Sequence, residues 1–501
     1  MTSIPDPARR RADLAPDAPA FIDGADGRIT SFAAFDDRAE RLAAELAAAG
    51  LAEGDRVAVL CHNSVAFFAL LMAAGKARLV LVPLNWRQPA AELAPVLADS
   101  GARLLIADDA TAATAGALAA VGGVPLVSLA AIEARAAPRP VRRRAGAWDP
   151  DQVWYLLYTS GTTGRPKAVI QTAGMMLANA MNVIDATGLH AGDRMVNFLP
   201  VFHTAGINLH TLPLFLVGGV SHVLAKFDLE RLIDRMAAGD VTVFFGVPAI
   251  YQALSLSPRF AALDIAAIRH WGCGGAPLSE ALIRQFLARG IAVCNGMGMT
   301  ETGPTVFFMD RDGAARKVGS VGKPRLLAEV RLVDAAGDDV ADGEQGEILF
   351  RGPGITPGYF GNPEATAAAF TADGWLKSGD VGRRDRDGYY FIVDRIKDMY
   401  ISGGENVYPA EVEAVLDNHP AVLEAIVVGV ADGRWGETGH AFVRLRPGAA
   451  LDEPALRTWL RERLAGYKIP RDITVVDDFP RTAAGKVQKH VLKSTLGREA
   501  S

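Results

Sequence analysis

Between Ser31 and Ala49 apolar residues recur every three to four positions, the spacing that buries one face of a helix. "RVAVL" at 56–60 follows as a short continuous apolar run, which reads as a buried strand. Asn63 stands where an N-cap belongs, ahead of a helix over Ser64–Ala74, and "LVLVPLN" at 79–85 returns to strand. "AAELAPVLADSGARLLIAD" repeats the alternation, so the pattern predicts βαβ units and a largely parallel sheet. Further strands are predicted at "VTVFFG" (241–246) and "EVRLVD" (329–334), the latter opening a glycine-rich, strand-dense region that runs to about Val393. The character then changes. "PAEVEAVLDNHP", "VLEAIVVGV", "HAFVRLRP", "EPALRTWLRERLAGY" and "DITVVDDFP" alternate helix and strand over roughly the last 100 residues, a domain of ordinary small size. The fold class is therefore α/β: a large N-terminal domain of parallel-rich αβ layers plus a β-rich subdomain, then a small α+β domain, with the boundary near Asp394 to Lys397.

Composition narrows the function. At 501 residues the chain exceeds what one core organises, and a net charge of -5 gives no electrostatic footprint for nucleic acid or an anionic membrane. Small molecules are the expected partners. The three cysteines, Cys61, Cys273 and Cys294, form no CxxC or CxH spacing, which argues against a zinc site and for a reducing compartment. The N-terminus lacks the apolar core of a secretory signal. The run Val65 to Gly75, cut off by Lys76 and Arg78, is too short to span a bilayer, so the expected location is the cytoplasm. The basic, proline-interrupted stretch Ala134 to Pro150 reads as a solvated connector.

The stretch Tyr158 to Val169, "YTSGTTGRPKAV", crowds hydroxyls, glycines and one lysine directly after the apolar run "VWYLL". Such a loop offers hydroxyl donors and close backbone approach, which suit phosphate oxygens. The spacing of Gly164 and Lys167 is not that of the Walker A motif, which argues against a P-loop ATPase or kinase.

At this string the chain resembles the acyl- and aryl-CoA synthetases of the adenylate-forming superfamily, which also contains firefly luciferase and nonribosomal peptide adenylation domains. Six further blocks follow in that family's order: "LPVFHTAG" (199–206), "GCGGAPLS" (272–279), "GMGMTETG" (296–303), "GWLKSGDVG" (374–382), "DRIKDMYISGGENVYPAEVE" (394–413) and "PRTAAGKVQK" (480–489). The resemblance implies an AMP-binding domain over 1–394, a hinge at 395–397 and a mobile C-terminal domain over 398–501. It implies ATP, Mg²⁺ and coenzyme A, and a two-step reaction through an acyl-adenylate. Thr159, Ser160, Gly161, Thr162, Thr163, Gly164 and Lys167 are then expected around the β- and γ-phosphates. Thr300 is expected at the α-phosphate, and Glu301, with Thr159, at Mg²⁺. Gly275, Ala276 and Pro277 are expected to line the adenine pocket, with Asp380 and Arg395 on the ribose. Met297 occupies a position where many relatives carry an aromatic, and thioether can cover a purine face in its place. Lys486 matches the lysine that bridges carboxylate and α-phosphate in the first step, whereas Lys489 and Lys493 are expected to be solvated. Lys397 matches the hinge about which the C-terminal domain rotates between steps. After rotation Gly403 and Gly404 are expected along the pantetheine tunnel. Trp435 reads equally as a contact for the CoA adenine or a packed core residue.

For the acid, the resemblance puts His203 between the acyl pocket and the CoA tunnel, against the alternative of a satisfied core histidine, and gives Gly246, Gly274, Gly298 and Met299 as pocket floor. These stretches hold no lysine or arginine to pair with a second carboxylate, which disfavours a dicarboxylic acid. "GMGMTETGPTVF" with "KVGSVGKP" is most similar to bacterial hydroxycinnamate (feruloyl)-CoA synthetases. A short- or medium-chain fatty acid is the alternative substrate, a carrier protein the alternative acceptor, and a homodimer stays open.

Overall fold

The computed structural model describes residues 2–138, 147–159, 166–482 and 485–496. The first amphipathic stretch is the helix Phe32–Ala48, capped by the Ser31 hydroxyl, which accepts the Ala34 N–H. Phe35, Ala39, Leu42 and Leu46 are its buried stripe. The expected cap at Asn63 is displaced by one residue. Ser64 caps the helix Val65–Ala77 by accepting the Phe67 N–H. Asn63 is instead buried, donating to Asn197 Oδ1 (2.8 Å) and the Leu199 carbonyl (2.7 Å), so it ties two strand ends together. Lys76 also does not end the apolar run. Its ammonium is buried among the carboxylates of Asp6 (2.7 Å), Asp36 (2.6 Å) and Glu40 (2.9 Å), and the helix stops only where Arg78 turns left-handed. A buried cation is tolerable when paired this fully.

The expected parallel sheet is present. Its six strands run in the order Lys167–Thr172, Val153–Thr159, Val80–Pro83, Arg56–Leu60, Leu104–Ala107, Leu126–Ser128, parallel except for the hairpin pair at the first position. Both faces are covered, one by Phe32–Ala48 and Val65–Ala77, the other by Ala90–Ser100 and Ala112–Gly122, as a doubly wound sheet requires. A second sheet of four strands includes Arg194–Asn197 and Val220–Val223. A third sheet holds Val243–Gly246, His270–Cys273 and Val293–Met297 in parallel, with two short antiparallel additions, Phe307–Phe308 and Lys323–Pro324. The strand-dense region is a four-stranded antiparallel sheet ending in Leu376–Arg384 and Tyr390–Arg395.

Between Arg395 and Tyr400 the chain leaves that sheet for another, built from Tyr400–Ser402, Glu405–Val407, Val422–Asp432, Gly436–Leu445 and Asp472–Val475. Helices Pro409–Asp417 and Glu453–Arg461 pack on it around Val412, Leu416, Leu456 and Leu460. This unit keeps its own apolar core. No helix among the described residues is long and apolar enough to cross a membrane.

Candidate active site

Thr159 closes one strand of the hairpin and Lys167 opens the other, and the two are direct cross-strand partners. Ser160, Gly161, Thr162, Thr163 and Gly164 between them, the residues expected at the phosphates, lie outside the described residues. The Lys167 ammonium lies 5.0 Å from the centre of the Tyr359 ring, a cation held over an aromatic face. Tyr359 itself pairs with Val169 and donates its hydroxyl to Glu301 Oε1 at 2.9 Å. Hence one tyrosine fixes both a cation and a carboxylate.

Thr300 and Glu301 sit in a single 3₁₀ turn, Thr300–Thr302, directly after the strand Val293–Met297. Its backbone is pinned from outside: Gln171 Nε2 donates to the Thr300 carbonyl (2.8 Å) and Thr356 N–H to the Glu301 carbonyl (2.8 Å). Gly298 is packed so closely that a Cβ there would lie 1.5 Å from the Pro304 carbonyl oxygen. Glu301 is buried. It and Thr159 supply oxygen donors, the chemistry that suits Mg²⁺ sharing phosphate oxygens, whereas no metal cage of three or more His, Cys, Asp or Glu occurs among the described residues.

The neighbouring strands end in small residues. Gly246 closes Val243–Gly246, and a Cβ on Gly274 would come within 3.0 Å of the Gly296 carbonyl oxygen. Gly275, at φ 86°, turns the chain outward, and with Ala276 and Pro277 it forms an accessible ledge. Met297 and Met299 are partly buried against the apolar cluster that includes Val306, Phe307 and Leu332.

Asp380 and Arg395 are cross-strand partners in that sheet, with Arg395 Nε 3.2 Å from Asp380 Oδ1. Burial raises the Asp380 pKa, and the Arg395 and Lys486 charges oppose the rise. Lys486 stands on a tight turn in which its N–H and C=O bond to Thr482 Oγ1 (3.2 Å) and Thr482 N–H (2.7 Å). Next to it, a Cβ on Gly485 would touch Val247 at 3.3 Å, so this turn of the C-terminal domain sits against the N-terminal ledge. The Lys486 pKa is lowered to about 8, first by burial and then by Arg395, with Asp380 and Glu301 pulling it back up. His203 is half-buried, its Nε2 has no hydrogen-bond partner among the described residues, and burial with the charge of Lys486 lowers its pKa to about 4. Glu301, Asp380, Arg395, His203 and Lys486 thus meet in one place, although they come from separate elements.

A family profile described as "AMP-binding enzyme" matches residues 8–360, and one described as "AMP-binding enzyme C-terminal domain" matches 411–486. The chain belongs to the AMP-binding enzymes. It is 43% identical over 490 residues to a feruloyl-CoA synthase of Amycolatopsis sp, covering 97% of this chain and 98% of that one. It is 38% identical over 496 residues to a 2-succinylbenzoate–CoA ligase of Geobacillus kaustophilus, covering 99% of each. The o-succinylbenzoate coenzyme A synthetase of Bacillus subtilis, solved with ATP and magnesium ion, superposes with a TM-score of 0.89 at 31% identity, covering 98% of this chain and 100% of that chain. The chain is accordingly an enzyme, an acyl-CoA ligase, and the expected ATP, Mg²⁺ and coenzyme A stand.

The remaining expected residues of this AMP-binding enzyme belong to the C-terminal sheet and the segment that leads into it. Gly403 (φ 62°) and Gly404 (φ 90°) form the two-residue turn between Tyr400–Ser402 and Glu405–Val407, where both positive φ values call for glycine. Trp435 is no core residue: it is 45% exposed, its ring rests on Gly403, and Arg434 stacks on it at 4.8 Å. Lys397 is exposed where the chain changes sheets. Lys489 departs from expectation. It is not solvated but pairs with Glu413 at 2.8 Å, because the helix it opens packs on Val422–Asp432. Sequence reasoning missed Tyr359, Gln171 and Thr356, which orient the motif residues without belonging to a motif. The only local sign was the glycine-flanked "PGYFG" at 357–361.

Proposed function

We propose that this enzyme ligates a hydroxycinnamic acid such as ferulate to coenzyme A in two steps through an acyl-adenylate. A carboxylate is a poor electrophile, and joining it to AMP supplies a leaving group. In the first step a carboxylate oxygen attacks the α-phosphorus of ATP and the bond to the β-phosphate oxygen breaks, releasing pyrophosphate. In the second the CoA sulfur attacks the acyl carbon, the C–O bond to AMP breaks, and the thiol proton is lost.

The observation that carries this reading is the delivery of Lys486 from the small domain to Asp380, Arg395 and Glu301. Two anions must be held together in the first step, and a preorganised cation between them lowers that barrier. Lys167, held over Tyr359, is suited to neutralise the departing pyrophosphate. Thr300 addresses the α-phosphate, while Asp380 and Arg395 hold the ribose. Gly275, Ala276 and Pro277 receive the adenine. Glu301 and Thr159 would hold Mg²⁺, which supplies charge neutralisation at the phosphates. His203, kept neutral by burial, borders the acyl group without adding a second charge beside Lys486. The relative at 43% identity, a feruloyl-CoA synthase, supports the acid.

The test is Lys486→Ala. Pyrophosphate release should fall on the order of 10²- to 10³-fold, while supplied feruloyl-adenylate is still converted to the thioester. Normal pyrophosphate release by the variant would refute the assignment. A panel of ferulate, cinnamate and octanoate, scored by CoA-dependent AMP formation, tests the acid, and replacing CoA with carrier protein tests the acceptor.

A further inference from the structure

Lys486 is carried into surroundings that partly resist it. Burial disfavours its charge, and Arg395 and Lys397 repel it, against the attraction of Asp380 and Glu301. The small domain must therefore hold the segment around Lys486 in place by contacts of its own. Backbone bonds close that segment: Thr482 N–H to the Lys486 carbonyl (2.7 Å), Gly485 N–H to the Thr482 carbonyl (2.8 Å) and Gln488 N–H to the Pro480 carbonyl (2.8 Å). Arg481 and Val487 pair across it. These bonds set its shape but not its seat on the domain. Its two ends are rooted in a small apolar cluster, where Phe479 and Val487 meet Ile426, Val428, Phe442 and Leu492.

Arg481 supplies the polar half of the seat. Its Nη2 pairs with Glu424 Oε2 at 2.5 Å, on the strand Val422–Asp432, while its Nη1 donates to the Gly485 carbonyl at 3.2 Å. A planar guanidinium presents its donors as a rigid fork, so one side chain fastens both acceptors in fixed relation. The Gly485 carbonyl shares a rigid peptide plane with the Lys486 N–H, which donates to Thr482 Oγ1 at 3.2 Å. That plane is held at both ends, and its orientation sets the direction in which Lys486 leaves the backbone. Glu424 is also 3.8 Å from Arg444, which has Asp478 as a nearer partner at 3.4 Å. Beyond Lys486, the pair of Lys489 with Glu413 holds the following helix.

We infer that Arg481 is a positioning residue for the first half-reaction: by bridging Glu424 and the Gly485 carbonyl, it fixes the peptide plane from which the Lys486 side chain enters the site. This rests on the role proposed above for Lys486 and adds the residue through which the small domain aims that lysine. Arg481 needs no contact with substrate to do so. A guanidinium that merely supported the fold would affect both half-reactions alike.

The experiment follows single-turnover pyrophosphate release, and thioester formation from supplied acyl-adenylate, in the wild type, Arg481→Met, Glu424→Gln and the double variant. Pyrophosphate release by Arg481→Met should slow by roughly 10- to 100-fold, with KM for ATP and the acid changed less than about threefold and thioester formation less than about twofold. Glu424→Gln should slow the same step by a smaller factor. The double variant should be no slower than Arg481→Met, because Glu424 acts through Arg481. A loosened plane leaves Lys486 buried for less of the time, so the alkaline limb of pyrophosphate release in Arg481→Met should move up from about 8 towards that of a free lysine. Unchanged pyrophosphate release by Arg481→Met would overturn the assignment. Equal slowing of the two half-reactions in Glu424→Gln, which removes one charge and almost no volume, would overturn it too, as would a double variant slower than Arg481→Met by the full Glu424→Gln factor. Normal pyrophosphate release by Lys486→Ala would remove the underlying reading, whereas its loss there with none in Arg481→Met would remove this assignment alone.

Discussion

At the residue scale the proposed first step turns on how Lys486 is charged. Burial and Arg395 hold its pKa near 8 in the docked arrangement, well below a free lysine. Pyrophosphate release should therefore fall as pH rises through about 8, while Lys486→Arg, whose guanidinium stays protonated, should lack that fall. A pH profile of single-turnover pyrophosphate release checks this, and identical alkaline limbs in the two proteins would count against it. For docking the sign is opposite. A folded pKa below the free value means docking releases protons, so rising pH favours the docked arrangement even as it removes the charge delivered there. Gly298 gives a steric counterpart. A Cβ 1.5 Å from the Pro304 carbonyl cannot be relieved by a side-chain rotation. Gly298→Ala should destabilise the large domain by about 3 kcal/mol, read as a lower denaturant midpoint, and an unchanged midpoint would contradict the packing described.

At the element scale the site is a meeting of three segments that are distant in sequence: the strand Lys167–Thr172, the turn Thr300–Thr302 and the segment 356–360. Tyr359 joins them, with its hydroxyl on Glu301 and its ring under Lys167. A hydrogen bond to a charged group contributes about 1.5–3 kcal/mol. Tyr359→Phe keeps the ring and loses only that bond, so it should raise the Mg²⁺ concentration needed for half-maximal adenylation by about tenfold or more. An unmoved Mg²⁺ dependence would show that Glu301 is oriented by other means. This segment also marks where sequence reading stops. Thr300, Glu301, Asp380 and Lys486 were legible as candidates because each stands in a string whose residue types suit the expected chemistry. Tyr359, Gln171 and Thr356 were not, because they act through pairings across 129 residues (Gln171 to Thr300) and 58 residues (Tyr359 to Glu301). The alternating strand and helix pattern was legible from period alone. The cap at Ser64 and the burial of Lys76 and Lys489 were not, since a side chain's partner decides each.

At the scale of the whole molecule, one carboxylate fastens the two domains in the arrangement that delivers Lys486. Asp394 lies at the end of the β-rich sheet, yet its Oδ2 accepts the Ala410 N–H at 2.8 Å, at the start of the C-terminal helix Pro409–Asp417. A carboxylate there satisfies a free N–H and meets the positive end of the helix dipole. Burial raises the Asp394 pKa while the nearby Lys489 charge opposes it, and Lys489 is itself held by Glu413. Asp394 precedes the point where the chain changes sheets, so the proposed rotation of the small domain about residues 395–397 would break the bond to Ala410. Asp394→Ala should then shift the population away from the docked arrangement. With a charge-assisted bond of about 1.5–3 kcal/mol removed, pyrophosphate release should slow by roughly 10- to 100-fold. Thioester formation from supplied acyl-adenylate, which does not need Lys486 in place, should change less than about twofold. Both half-reactions can be followed in one preparation by quenched flow. Equal slowing of the two would mean that Asp394 merely supports the fold, whereas slowing of the first alone identifies it as the latch that the rotation releases.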